Sequence, residues 1–518
     1  MNTMLAAIGF APGWLLPGIF ALPLVGSIAV WLLPRAAGDT DARLARTITI
    51  GLLSVTAILT LALWLVVPNG STEQVDYPWI DEFGARIRFA ATGISLPMIV
   101  LTAWLMLLSV IATDRAAITH RAVSYYALIL LLTAGILGIF LAADLLLFYL
   151  CWELMLVPLY FLIGVWGSGR GPAAGTTFFI YTMLGSLLML VAVIVVASAA
   201  GGTTYDTVRT MATNQPMSMT AQAFCFFAFA AAFLVKSALI PFHTWLPDAQ
   251  SEGPPIAAVA LGIKVGTYGL MVLAYPLFPS AALHPVTRMI LASLGVVGVL
   301  YGSLVALVQP DFRRVISYAS IAHLGFVVVG ISAFTAESLQ GAVIVMVNAG
   351  ITTGGMFLLL GMLRKRISDD RFQSLGGLAK DMPMFGALVV LFALANAGLP
   401  GTNGFVGEFL VLIGSFTHFP VLVLLATIGV ILAAAYLLWA VQRMLFGQRP
   451  DGAPVARDLN GLEAGVMAAF VLAIIGLGLA PAPVLDRLDD SVASLVTRVN
   501  MSAITAPPTA SAVEDAAR

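Results

Sequence analysis

The sequence predicts an all-α polytopic membrane protein with about fourteen transmembrane helices, of which the seventh and the twelfth are discontinuous. Three observations carry this prediction. Of the 518 residues, 60% are hydrophobic and 10% are charged, whereas soluble domains hold about 25% charged residues. Apolar runs of about 20 residues, the length that crosses the hydrocarbon layer, recur along the whole chain. Two of these runs are interrupted by proline and glycine. Lipid is therefore the expected solvent for most of the outer surface.

The predicted spans follow one another with mostly short connections. They cover residues 15–33, 46–67, 94–113, 122–142, 144–166, 175–200, 221–240, 254–276, 286–308, 315–334, 337–363, 384–411, 419–446 and 461–481. No basic residue precedes Arg35. Because a secretory signal needs basic residues ahead of its apolar run, we expect the first run to remain in the membrane. The stretch from about Ile504 is rich in alanine, threonine and proline, which predicts a disordered tail.

Basic residues in the connecting segments orient the predicted spans. With the N-terminus outside, sixteen of the 25 lysines and arginines lie in cytoplasmic loops and seven lie in outer segments. This is the asymmetry that the positive-inside rule describes. The even number of spans then predicts both termini outside a plasma membrane of the bacterial inner-membrane type. These 23 residues leave two of the 25 lysines and arginines unassigned. The two are Lys236 and Lys264, and both lie within predicted spans.

Two spans carry helix-breaking sequences at membrane depth. The seventh contains Lys236-Ser-Ala-Leu-Ile-Pro241, and the twelfth contains Asn396-Ala-Gly-Leu-Pro-Gly-Thr-Asn-Gly404. Broken backbone is tolerated there only when protein buries it or when it lines a wet cavity. Five-helix blocks formed by spans 4–8 and 9–13 would hold each break in the fourth helix of its block. Because five is odd, the two blocks would be inverted repeats, the layout in which broken helices mark a transport path.

Five ionisable residues lie inside predicted spans, namely Glu153, Lys236, Lys264, His323 and Glu408. An ionised side chain at the bilayer centre costs about 2.5–3.5 kcal/mol, so these residues need a reason. Burial disfavours a charged lysine and a nearby carboxylate favours it. Movement of Glu153 toward or away from Lys236 would therefore switch this lysine between holding and releasing a proton. Glu408 would be the corresponding site of the second block. His323 would relay between the blocks, although a neutral core histidine explains this residue equally well.

Other residues with reactive side chains receive structural interpretations. Asp144 lies near a helix end, where a snorkelling charge or a structural ion pair is expected. Cys151 and Cys225 lie in apolar runs without metal-ligand spacing and are interpreted as packing residues. The sequence has no dinucleotide fingerprint, P-loop or Cys-x-x-Cys motif, so we expect no cofactor or metal in this chain. A net charge of −1 gives no reason to expect a nucleic-acid partner.

Four strings resemble a known family. They are CWELMLVPLYFLIGVW at residues 151–166, PFHTWLPD at 241–248, YASIAHLGF at 318–326 and GLPGTNGFVGEF at 398–409. These strings are similar to the antiporter-like chain M, or subunit 4, family of respiratory complex I, the proton-translocating NADH-quinone oxidoreductase. The resemblance extends in order from about residue 85 to residue 480.

The resemblance implies one proton-pumping unit of a membrane arm, embedded in lipid beside neighbouring antiporter-like chains. Electrons would pass through partner subunits, from reduced NAD (NADH) through FMN and iron–sulfur clusters to quinone. Helices 1–3 would occupy residues 1–118, the first five-helix repeat 119–280, the second and inverted repeat 281–447, and helix 14 with the tail 448–518. Glu153 and Lys236 match the family's coupling ion pair and Lys264 its central lysine. His323 matches a relay histidine and Glu408 the terminal proton-exchange carboxylate.

Four positions depart from the family's pattern. Ala349 stands where the family usually has histidine, Thr177 where lysine is common, and Gln250 where a histidine follows the Trp-Leu-Pro-Asp run; residues 91–95 lack an aspartate before glycine. One alternative is therefore an antiporter-like subunit of another assembly, such as a membrane hydrogenase, a multisubunit cation/proton antiporter or a carbon-uptake complex. Another is a non-pumping element that only spaces the membrane arm. The cost of five buried ionisable residues argues against the spacer.

Overall fold

The computed structural model describes residues 12–33, 39–113, 118, 120–367, 370–448 and 456–504. The first helices are α1 (Leu15–Trp31), α2 (Asp39–Val66) and α3 (Ser95–Ala112). The next are α4 (Ala122–Leu141), α5 (Leu145–Trp166), α6 (Gly171–Ala200), α7 (Tyr205–Asn214), α8 (Met219–Lys236), α9 (Trp245–Glu252), α10 (Pro255–Gly262), α11 (Val265–Gly269), α12 (Tyr275–Leu277) and α13 (Pro279–Ala282). The last are α14 (Pro285–Leu307), α15 (Phe312–Ala333), α16 (Ala336–Arg364), α17 (Leu378–Asp381), α18 (Pro383–Asn396), α19 (Asn403–Phe416), α20 (Pro420–Val441), α21 (Gly461–Leu479) and α22 (Ala482–Ile504).

Every predicted span corresponds to a helix or to a broken helix. Among the described residues, 12 helical stretches are long and apolar enough to cross a membrane. The shorter α1 is the first predicted span, and α18 with α19 forms the twelfth, which is broken where the sequence predicts. The seventh span is broken between α8 and α9, also as predicted. The predicted fold class is therefore confirmed.

The described chain also has elements outside the spans that were not predicted, of which the longest are a hairpin and two helices. Strands β1 (Glu73–Ile80) and β2 (Ala85–Ala91) form an antiparallel hairpin that pairs Glu73 with Ala91. The short helix α7 connects the sixth and seventh spans, and α22 follows the fourteenth. A search for long apolar runs overlooks these elements because their sequences mix charged and apolar residues. The disordered tail predicted from about Ile504 lies beyond the described residues.

The helix ends gather on two opposite faces of the bundle. On one, Arg313 donates to the carbonyls of Gln250 and Gly253, and Arg364 donates to Ser168. We call this end the basic face, because it carries the loops that the sequence assigns to the cytoplasm. The other end carries the hairpin and α22, and we call it the hairpin face. The described chain begins and ends at the hairpin face, since Gly13 lies against Val75 of β1 and α22 packs beside the hairpin end of the bundle.

The two predicted breaks have the same hydrogen-bond pattern. In the first, the amide of Ala238 donates to Val235 and the amide of Leu239 donates to Leu234. In the second, Gly398 donates to Ala395 and Leu399 donates to Leu394. These 5→2 and 6→1 pairs define a Schellman motif, whose capping residue is left-handed. Ala238 has φ +49° and Gly398 has φ +70°. Lys236 and Asn396 are thus the last helical residues of equivalent half-helices.

Helix α16 lies at the centre of the bundle. Its residues 341–360 are all buried, and it packs against α3, α10, α15, α18, α19, α21 and α22. Small residues permit close approach on one side, since a Cβ on Gly341 would meet the backbone of Val411 in α19. The helix therefore brings α10 of the first predicted block and α19 of the second into contact with one shared element.

Candidate functional site

Lys264 lies at an interruption of the eighth span that the sequence analysis did not predict. Helix α10 ends at Gly262 and α11 begins at Val265, which leaves Lys264 in a non-helical conformation between them. The lysine Nζ donates a hydrogen bond of 2.7 Å to Ser320 Oγ of α15, and both side chains are buried. A lone glycine within an apolar run is usually accommodated in a helix, so Gly262 gave only a weak signal.

Helix α15 connects Lys264 to the second break through two side chains. Ser320 and His323 are three residues apart and therefore share one face of the helix. His323 Nε2 donates to the backbone carbonyl of Asn396 over 3.2 Å and lies 3.6 Å from Glu408 Oε1. Its other ring nitrogen, Nδ1, has no hydrogen-bond partner among the described residues. Lys264, Ser320, His323 and Glu408 thus follow one another as one buried line.

Glu408 lies in α19, directly after the second break, and is 6% exposed. Its carboxylate lies against the break itself, because a Cβ built on Gly398 would come within 2.7 Å of Glu408 Oε2. Glycine at this position therefore serves two purposes. It permits the left-handed conformation, and it leaves space for the carboxylate.

A small cavity lies between His323 and Glu408. Its lining includes Asn348, Ala349 and Asn396, and its volume is about 10 Å³. By this measure a single water molecule needs roughly 10–15 Å³ and two to four polar partners. The lining supplies an imidazole, a carboxylate and two amide side chains. Ala349, the position at which the family usually has histidine, leaves this space open.

A polar network surrounds the cavity on its α16 side. Thr352 donates to the side-chain oxygen of Asn396 over 3.2 Å, and the side-chain amide of Asn348 donates to the carbonyl of Asn403. The side-chain oxygen of Asn348 and both polar atoms of the Asn403 side chain are buried without hydrogen-bond partners within the described chain. Asn348 and Thr352 were not singled out by sequence reasoning, since polar residues in a span gain meaning only from the helices that they face.

Lys236 is separate from this line. It ends α8, is 8% exposed, and its Nζ lies 5.5 Å from the centre of the Trp152 ring and 5.1 Å from that of Phe178. Glu153 attracts Lys236 electrostatically, but in the described part of the chain the two side chains form no direct ion pair and Lys236 Nζ has no hydrogen-bond partner. Aromatic faces stabilise a desolvated cation at such a site.

Asp144 caps helix α5 at the hairpin face. Its carboxylate accepts hydrogen bonds from the amides of Leu146, Leu147 and Arg86 and from the hydroxyl of Thr203. Four donors on one buried carboxylate tie the start of α5 to the hairpin and to the segment before α7. The role of Asp144 is thus structural, but it is that of a fully buried helix cap and not the snorkelling charge or ion pair that the sequence predicted.

Two of the other departures from the family's pattern lie near the basic face, whereas residues 91–95 lie at the hairpin face. Gln250 is buried in α9, and its backbone carbonyl accepts a hydrogen bond from Arg313. Thr177 lies half-buried in α6. Neither residue contacts the line from Lys264 to Glu408. Across the described ranges, no group of three or more histidine, cysteine, aspartate or glutamate side chains is arranged to hold a metal ion.

Comparison with known proteins agrees with this architecture. Residues 142–433 match the family described as NADH:quinone oxidoreductase/Mrp antiporter, TM. The chain is 36% identical over 500 residues to NADH-quinone oxidoreductase subunit M of Pseudomonas aeruginosa. This match covers 91% of this chain and 95% of that protein. The chain is also 35% identical over 427 residues to F(420)H(2) dehydrogenase subunit M of Methanosarcina mazei, with coverage of 81% and 86%.

A solved structure extends the likeness to three dimensions. A chain of respiratory complex I from Thermus thermophilus with bound NADH superimposes with a TM-score of 0.83 at 30% identity. The match covers 93% of this chain and 99% of that chain.

Proposed function

This chain belongs to the NADH:quinone oxidoreductase/Mrp antiporter transmembrane family, and we propose that it is a proton-pumping membrane-arm subunit of a complex I-type NADH:quinone oxidoreductase. The observation that carries this proposal is the buried line Lys264–Ser320–His323–Glu408. It joins the interruption between α10 and α11 to α15 and α19, and so connects the interrupted helices of the two predicted repeats. A structural core would avoid the cost of these side chains.

Each group along the line can carry a proton, and a proton would cross between Ser320 and His323 without a direct hydrogen bond, because His323 Nδ1 has no partner among the described residues. Lys264 donates its hydrogen bond to the Ser320 hydroxyl, which is able both to accept and to donate. His323 accepts a proton at one ring nitrogen and releases one from the other. Its Nε2 lies 3.6 Å from Glu408 Oε1, beyond hydrogen-bond distance. A water molecule in the cavity beside Ala349 would bridge the two groups. This water would take the place of the histidine that the family usually has at position 349.

Glu153 and Lys236 form the proposed control point of this unit. A lysine without a direct carboxylate partner favours release of its proton, and one brought against a carboxylate favours retention. Movement of Glu153 relative to Lys236 would therefore change the proton affinity of the lysine. The rings of Trp152 and Phe178 lie against Lys236 Nζ and hold it in place while this distance changes.

The redox chemistry is assigned to other subunits. The relatives are named as subunits of NADH-quinone oxidoreductase and F(420)H(2) dehydrogenase. In this proposal, electron transfer from reduced NAD (NADH) through FMN and iron–sulfur clusters to quinone therefore belongs to the partners. This chain itself would carry no redox centre. Neighbouring antiporter-like chains would flank it in a bacterial-type plasma membrane, with both termini on the outer side.

The decisive experiment is Glu408→Gln in the assembled complex, reconstituted in proteoliposomes. The expected result is a lower number of protons translocated per electron while quinone reduction continues. Glu337→Gln is the matched control, because Glu337 is exposed in the first turn of α16. An unchanged proton-to-electron ratio in Glu408→Gln would support the spacer alternative. A sodium-dependent current from the wild-type chain would favour the cation-antiporter alternative.

A further inference from the structure

A cleft on the hairpin face gathers three arginines from distant parts of the chain. Arg88 comes from β2, Arg209 from α7 and Arg498 from α22. We call the space between them the arginine cleft. Its volume is about 290 Å³. Its polar lining also includes the side chains of Thr72, Gln74, Thr92, Ser95, Tyr205, Tyr268, Ser491 and Ser494.

The cleft holds more positive charge than its own side chains neutralise. Arg88 donates to Asp206 over 2.5 Å and to the side-chain oxygen of Gln74 over 3.0 Å. Arg209 and Arg498 form no ion pair with a carboxylate in the described part of the chain; Arg209 lies over the ring of Tyr205 and Arg498 donates to the backbone of Ser494. Three arginines against one aspartate give an excess of two positive charges.

The surroundings of Arg209 make this excess costly. Burial, followed by the nearby charge of Arg498, lowers the pKa of Arg209 below its ordinary value. A guanidinium nevertheless keeps its proton in proteins, so the repulsion remains until an anion enters. The Nε of Arg88 is also buried without a hydrogen-bond partner among the described residues. The cleft therefore has both unneutralised charge and an unused donor.

A largely apolar recess adjoins the cleft. It has a volume of about 190 Å³, shares Arg209 and Arg498 with the cleft, and is lined by Pro276, Leu495 and Val499. Pro276 lies one residue before the end of the eighth span. The recess thus opens at the boundary between the spans and the hairpin face. A ligand that occupies both spaces must carry an anionic group next to an apolar one.

We propose that the arginine cleft binds the phosphate of an anionic phospholipid, whose glycerol and first acyl carbons lie in the recess. Guanidinium groups suit phosphate oxygens because their N–H groups form charge-assisted, often bidentate, hydrogen bonds. Free inorganic phosphate would satisfy the same arginines, but it has no apolar part that could fill the recess. The lipid would fasten the hairpin, α7 and α22 to one another, since each contributes one arginine.

The test measures lipid binding to the purified full-length chain by native mass spectrometry after delipidation. Dioleoyl phosphatidylglycerol is compared with dioleoyl phosphatidylcholine, which has the same acyl chains and no net charge. We expect one phosphatidylglycerol to bind at least about tenfold more tightly, because the choline of phosphatidylcholine brings a positive charge that the excess positive charge of the cleft repels. The double variant Arg209→Gln/Arg498→Gln should lose this preference, and Arg209→Lys/Arg498→Lys should keep part of it.

Arg86→Gln is the matched control, because Arg86 lies on the same hairpin but pairs with Asp76 outside the cleft. It should bind both lipids as the wild-type chain does. An unchanged preference in the double glutamine variant overturns the proposal. If millimolar inorganic phosphate displaces the lipid, the proposal of a lipid ligand is overturned, and the cleft is a site for a free anion. If the bound phosphatidylglycerol is lost when the chain assembles with its partners, the lipid proposal is also overturned. The arginines would then bind an acidic surface of a partner.

Discussion

Ala238 and Gly398 hold equivalent positions in the two helix breaks, yet only Gly398 lies against a carboxylate. Both residues are left-handed, and each is followed by a leucine that donates back to the leucine five residues earlier. The two half-helices thus end with the same backbone conformation and the same hydrogen bonds. The side chain differs because Glu408 Oε2 occupies the space that a Cβ on Gly398 would need.

The Gly398→Ala variant should therefore have two effects, a loss of stability from the left-handed backbone and a displacement of the Glu408 carboxylate. The left-handed conformation costs an alanine about 1–2 kcal/mol, and the new methyl group would push the carboxylate of Glu408 away. We expect a lower melting temperature and a reduced proton-to-electron ratio in proteoliposomes. Ala238→Gly is the control. It removes the same strain at the first break and should raise the melting temperature slightly without reducing pumping. Equal pumping by both variants would contradict the role assigned to Glu408.

Removal of the Ser320 hydroxyl should interrupt the line between Lys264 and His323. Ser320→Ala leaves the buried Nζ of Lys264 without its hydrogen bond, at a cost of roughly 1–3 kcal/mol. We expect proton translocation to fall while quinone reduction continues. Ser317→Ala is the matched control, because the Ser317 hydroxyl only donates to the Arg313 carbonyl in its own helix. Full pumping by Ser320→Ala would remove this hydroxyl from the relay.

Filling the cavity beside Ala349 should have a similar effect. Ala349→Leu would occupy the space in which a water is proposed to bridge His323 and Glu408, and overpacking of a tight core costs about 1–3 kcal/mol. Pumping should fall. Ala349→Ser adds a hydroxyl of small volume and should preserve it. The comparison is made on complexes with equal amounts of assembled subunit. If the leucine variant pumps normally, the bridge does not pass through this cavity.

Asp144→Ala should affect stability rather than proton transfer. The substitution removes an acceptor of four hydrogen bonds and leaves buried donors unsatisfied, each at about 1–3 kcal/mol. We expect a clearly lower melting temperature in detergent. The proton-to-electron ratio of the complexes that do assemble should match the wild type. A reduced ratio at unchanged stability would show that Asp144 takes part in proton movement.

The sequence was sufficient for features that depend on local composition. Hydropathy located the spans, and proline and glycine located both Schellman breaks. The interruption at Lys264 was missed because its only local signal is Gly262, which a helix tolerates. The hairpin and α22 were missed because they lie outside the apolar runs. The contact of His323 with Glu408 depends on how α15 packs against α19, and no spacing within either helix determines it. The prediction of a Glu153–Lys236 coupling pair stays a prediction, since the two side chains form no direct ion pair within the described chain.

The enclosure of α16 has a consequence for how the protein is made. In the finished bundle the central part of this helix meets neighbouring helices, so lipid exposure does not explain why it is apolar along its length. It is nevertheless long and apolar enough to be a membrane span. During synthesis each helix enters the bilayer before the later ones exist, and α18, α19, α21 and α22 all follow α16 in the chain. Its sequence must therefore suit two successive solvents, first lipid and then protein, and substitutions that the finished core tolerates can still fail at insertion.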